Sequence, residues 1–118
     1  MTQLLRCAGF CVALFLAVRW PVQAHAILLR SFPSANQAVN GKAVPLELYF
    51  NSRVDGKRSR LSLIDPEGTD HDLKIEQPSA DSVVSRAANL HPGTYVLRWQ
   101  ILAEDGHITR GEVLFRVN

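Results

Sequence analysis

From residue 26 onward, apolar and polar residues alternate along this chain instead of recurring at helical spacing, and the alternation marks out strands. Val44, Leu46, Leu48 and Phe50 share one face, with Pro45 near the start of the segment, where a missing N–H is tolerated. Leu61 and Leu63 begin another strand, cut off by the turn segment Asp65-Pro66-Glu67-Gly68. The pattern is clearest after Pro92-Gly93: Tyr95, Leu97, Trp99 and Ile101 point one way, while Thr94, Arg98 and Gln100 point the other. Val113, Phe115 and Val117 carry a last strand, and weaker alternation fits Ala26 to Ser31, Asp72 to Ile75 and Ser82 to Ala87. About seven short strands separated by Pro, Gly, Asn and Asp clusters predict an all-β fold, a small antiparallel Greek-key sandwich or barrel of immunoglobulin-like or cupredoxin-like form. Past residue 25 the sequence holds no amphipathic helix, internal repeat or linker.

The first 24 residues break this pattern. A short basic start ending at Arg6, an apolar run from Cys7 to Val18 and the small-residue signature Val22-Gln23-Ala24 predict a secretory signal peptide over 1–24, removed to leave one domain over 25–118. The apolar run is twelve residues, whereas a spanning helix takes about 20, so no retained membrane anchor is expected. Cleavage changes the composition. Both cysteines, Cys7 and Cys11, and the only methionine, Met1, lie in the removed segment, so the 94 residues left of 118 offer no disulfide, no thiolate and no thioether. Loss of Arg6 and Arg19 lowers the 13 basic residues to 11, level with the 11 acidic ones. That balance argues against nucleic acid or an anionic membrane as partner.

Cleavage after Ala24 also makes His25 the first residue. A terminal histidine closes a six-membered chelate ring through its α-amine and Nδ1, whereas an internal one offers one nitrogen at a time. The loop between the two best strands reads Ala103-Glu104-Asp105-Gly106-His107, in which the glycine frees the backbone to turn and aims a carboxylate and an imidazole at one point. If the first strand brings His25 to the same end, the set comprises three nitrogens and one oxygen from His25, Asp105 and His107. Such a tetragonal, sulfur-free set suits one Cu(II) ion best, with nickel next and zinc in a tetrahedral arrangement.

These residues, with their surroundings, make the chain similar to the CopC family of periplasmic copper-binding proteins. The resemblance covers the whole sequence after the signal: the leader ending before His25-Ala26, Ser31-Phe32-Pro33-Ser34-Ala35, Leu46-Glu47-Leu48-Tyr49-Phe50, Gly93-Thr94-Tyr95-Val96-Leu97-Arg98-Trp99, and Asp105-Gly106-His107 followed by Gly111 and Phe115. It implies copper(II) ligands at His25, Asp105 and His107, a periplasmic location, a role in copper homeostasis or resistance, no enzymatic activity, and cooperation with a CopD-type inner-membrane protein. Two departures stand out. The Met-rich loop that gives some members a copper(I) site has no counterpart, and Asn51-Ser52 replaces the acidic residue often found after the phenylalanine of the early strand.

The other candidates read more plainly. His71, between Asp70 and Asp72, is expected in a solvated turn, His91 at a strand entry, and Glu104 as a loop charge. Tyr95 and Trp99 are expected to pack, and Lys57-Arg58-Ser59-Arg60 to form a solvated face. Two other classes fit less well. A copper-dependent oxidative enzyme of the polysaccharide monooxygenase kind also uses a terminal histidine but needs an open copper face and a broad substrate surface, and a metal-free immunoglobulin-like interaction domain leaves the pairing of His25 with the Asp-Gly-His loop unused.

Overall fold

The computed structural model describes residues 25–118, so the signal peptide expected over 1–24 lies outside the described residues. Eight strands form two sheets: β1 (Leu28–Phe32), β2 (Ala38–Val39), β3 (Val44–Phe50), β4 (Val54–Ile64), β5 (Asp70–Leu73), β6 (Ser82–Ala87), β7 (Gly93–Ala103) and β8 (Ile108–Val117). One sheet has the order β1-β3-β6 and the other β2-β8-β7-β4-β5. The chain changes sheet at every connection except β4 to β5 and β7 to β8, which makes a sandwich of two sheets. Pairing is antiparallel except between β2 and β8, where Ala38 and Val39 run parallel to Arg116 and Val117.

The alternating faces read from the sequence meet between the sheets. Leu46, Leu48 and Phe50 from one sheet, and Tyr95, Leu97, Ile101 and Phe115 from the other, are each at most 1% exposed. Stacking of Tyr95 on Phe115 at 5.6 Å and an edge contact of Phe50 with Trp99 at 5.4 Å fill the centre. Trp99 sits opposite Gly111 on β8, and a Cβ there would lie 2.3 Å from the indole ring. Glycine is what lets the largest core side chain fit. Tyr95 packs as expected and also anchors the entry to β7. Its hydroxyl donates to the His91 carbonyl at 2.8 Å and accepts the His91 N–H at 3.0 Å.

Three elements differ from the expectation. β4 begins at Val54, well before Leu61, because a bulge between Asp55 and Arg60 interrupts the alternation. Within it Ser59 turns inward and donates its hydroxyl to the Asp55 carbonyl while accepting the Leu102 N–H, so only Lys57, Arg58 and Arg60 are solvated. The strand expected at 72–75 lies at Asp70–Leu73, and His71 is in this edge strand rather than a turn. β2, two residues long, carries too little pattern to be read in advance.

Candidate metal centre

β7 and β8 pair along their whole length, from Gly93 with Val117 to Leu102 with Ile108. The connection is therefore a tight hairpin, closed by the Ala103 N–H on the His107 carbonyl at 2.8 Å and the Gly106 N–H on the Ala103 carbonyl at 3.0 Å. Gly106 has φ +87°, a left-handed conformation costly for any residue with a Cβ. This turn puts Asp105 and His107 side by side. Asp105 Oδ1 accepts the His107 backbone N–H at 3.0 Å, and Oδ2 lies 3.0 Å from His107 Nδ1. Together the backbone N–H, the ring and the nearby His25 hold the Asp105 carboxyl below the usual carboxylate range, against a smaller opposing effect of desolvation.

In a neutral His107, a carboxylate this close to Nδ1 favours the proton there, which leaves Nε2 as the ring's free donor atom. Asp105 keeps acceptor capacity after these two contacts, since a carboxylate has about four lone-pair sites. His25 arrives from the other sheet. Its ring lies 4.8 Å from that of His107, edge to face at 70°. The potential ligand atoms of His25, Asp105 and His107 all fall within 4.8 Å of one another. All three residues named from the sequence are thus brought together at one end of the sandwich, across 80 positions of chain between His25 and Asp105.

The remaining candidates fall outside this cluster. Glu104 donates its backbone N–H to the Arg53 carbonyl at 3.0 Å and its side chain is exposed. His71 Nε2 meets Asp65 Oδ2 at 2.9 Å, and His91 Nε2 meets Glu67 Oε1 at 2.9 Å. His91 precedes β7 and His107 follows it, so strand rise alone separates them by roughly 30 Å. Sequence reasoning missed Asn51. It follows β3 directly, its Oδ1 accepts the Ile27 N–H at 2.8 Å, and its own N–H donates to the Ile27 carbonyl at 3.0 Å. Its place directly after the phenylalanine of the early strand is the one signal the sequence offers for it.

Among the described residues no helix is long and apolar enough to cross a membrane. Residues 28–118 match the CopC domain family. The chain is 31% identical over 100 residues to Protein YobA of Escherichia coli strain K12, covering 81% of each. The crystal structure of CopC from Methylosinus trichosporium OB3b is similar with a TM-score of 0.69 and 28% identity, over 80% of this chain and 94% of that one. PcoC from Escherichia coli, described as a methionine-rich copper resistance protein, shares the fold with a TM-score of 0.63 and 24% identity, over 80% of this chain and 100% of that one. The family match over residues 28–118 and the 31% identical relative together show that the chain belongs to the CopC family.

Proposed function

We propose that this protein is a periplasmic copper(II) carrier, exported by a signal peptide over 1–24 and holding one ion through His25, Asp105 and His107. The observation that carries the reading is the convergence of those three side chains' ligand atoms within 4.8 Å. The donor chemistry fits. No cysteine or methionine occurs after residue 11, so every available donor is nitrogen or oxygen, the set that divalent copper prefers over monovalent. Membership of a family that includes copper resistance proteins supports the same metal.

In this reading the ion is cargo. The α-amine and Nδ1 of His25 chelate it, His107 Nε2 adds a second imidazole, and the Asp105 carboxylate offsets part of its charge. The protein's own work is to present deprotonated, oriented donors and to release the ion to a recipient, for which a CopD-type inner-membrane protein is the family's candidate. Acidification discharges the site, because amine and imidazoles bind metal only without their protons.

The test compares two proteins, one beginning at His25 and one with a single glycine before it. Extension turns the amine into an amide and lowers copper(II) affinity by orders of magnitude in a competition titration. Equal affinities would rule out the terminal chelate. Oxidation of a polysaccharide by the loaded protein with peroxide would replace the carrier by an enzyme.

A further inference from the structure

The segment that carries His25 is tied down on both sides. At Ile27 the tie comes from the β1-β3-β6 sheet side: Asn51 makes the reciprocal pair already described, taking the Ile27 N–H on Oδ1 and giving its own N–H to the Ile27 carbonyl. At Ala26 the tie comes from β8. Thr109 Oγ1 donates to the Ala26 carbonyl at 3.1 Å, 83 residues away in sequence and two residues past His107. Between the two ties the Ala26 side chain enters the core and is 2% exposed, while the Ile27 side chain lies 58% exposed. Burial of one methyl group anchors a residue weakly. The hydrogen bonds at Ala26 and Ile27 therefore add to the holding.

We infer that Asn51 and Thr109 are positioning residues that fix the backbone at Ala26–Ile27 so that the terminal amine and ring of His25 face His107 before metal arrives. The inference rests on the copper reading above and adds to it. A chain end with free dihedrals must be ordered when it chelates, and that entropy is subtracted from affinity, whereas an end held in place has lost it on folding. Asn51 suits this role better than a carboxylate aimed at the ion. Its Oδ1 is committed to a backbone N–H, so the residue contributes order rather than charge. Thr109 links the same segment to the strand that begins next to His107, so both halves of the site share one frame.

The experiment uses the protein beginning at His25 and reads two quantities. In the metal-free protein, hydrogen exchange of the Ile27 amide measures the Asn51 tie directly. Asn51→Ala accelerates that exchange by about tenfold or more, the loss of one intramolecular hydrogen bond at an exposed site. An unchanged rate would overturn the tie, whatever the protein does with copper. In copper(II) competition titrations, Asn51→Ala lowers affinity by about tenfold, and Thr109→Val, which keeps the shape and removes the hydroxyl, by about threefold to tenfold. Thr109→Ser restores it. In the glycine-extended protein, where the chelate cannot close, the same Asn51→Ala change costs less than about twofold. Equal losses in both forms would make Asn51 a general structural residue and overturn the positioning role. A wild type that bound no copper would sink the carrier reading alone, since the exchange measurement stands without metal.

Discussion

Asp105 touches His107 twice, and the two contacts have different consequences. Oδ1 on the backbone N–H shapes the turn, whereas Oδ2 beside Nδ1 favours a proton on that ring nitrogen. Asp105→Asn preserves the first contact, but with its amide N–H₂ facing Nδ1 it favours the tautomer protonated on Nε2, the atom that would meet the metal. The cost in copper(II) affinity is therefore about 10- to 100-fold, the range seen when partners of metal-bound histidines are altered. His107→Ala removes the imidazole itself and costs more, which a competition titration of both variants checks. The reverse order would make the carboxylate the dominant ligand. Asp105 and His107 were legible in the sequence because their geometry is local, two positions around a glycine. Asn51 was not, because an asparagine acting on a backbone 24 residues away leaves no pattern in its own neighbourhood.

Strands, by contrast, were legible to the extent that they bury a face. β3, β7 and the second half of β8 alternate cleanly against the core and are legible in the sequence, while the first halves of β4 and β8 and the edge strand β5 are not. A bulge resets the period in β4, and an Asp-His-Asp edge strand buries nothing for a period to report. The turn joining β4 to β5 is held by polar contacts instead. Asp65 Oδ1 accepts the N–H groups of Glu67 and Thr69 at 3.0 and 2.8 Å, and Oδ2 meets His71. The contact with His71, followed by the Thr69 N–H, holds the Asp65 carboxyl below its ordinary 3.8. A carboxyl depressed on folding stabilises at every pH above its unfolded value and loses that contribution as the pH falls through the lower folded one. Asp65→Ala should accordingly lower the melting temperature of the metal-free protein at neutral pH, and the gap to wild type should close as the pH falls below about 3.8. A gap that persists undiminished into stronger acid would mean that the charge of Asp65 plays no part in holding the turn.

At the scale of the molecule, the two sheets set His25 against the β7–β8 hairpin, a juxtaposition that no local pattern announces. The resemblance of the whole sequence to one family supplied it in advance, where alternation alone left sandwich and barrel undecided. In the carrier reading, a ligand that joins both sheets stabilises the folded domain by mass action. Copper(II) in hundredfold excess over its Kd contributes about 2.7 kcal/mol. For a domain of this size each kcal/mol raises the melting temperature by about 4–8 °C, so a scan with copper should show a rise on the order of 10–20 °C that a chelator reverses. A melting temperature indifferent to copper would contradict binding to the folded state.

The 80-residue separation of His25 from Asp105 also decides when the site exists. An unfolded chain offers the His25 chelate apart from the second imidazole and the carboxylate, and closing so large a loop has an entropic cost that the folded sandwich has already met. In the carrier reading, copper therefore acts as an inspector of the finished domain. A chain in which β1 and the β7–β8 hairpin have not yet been brought to the same end presents the two-donor chelate of His25 alone, so it holds the ion far more weakly than the finished domain does.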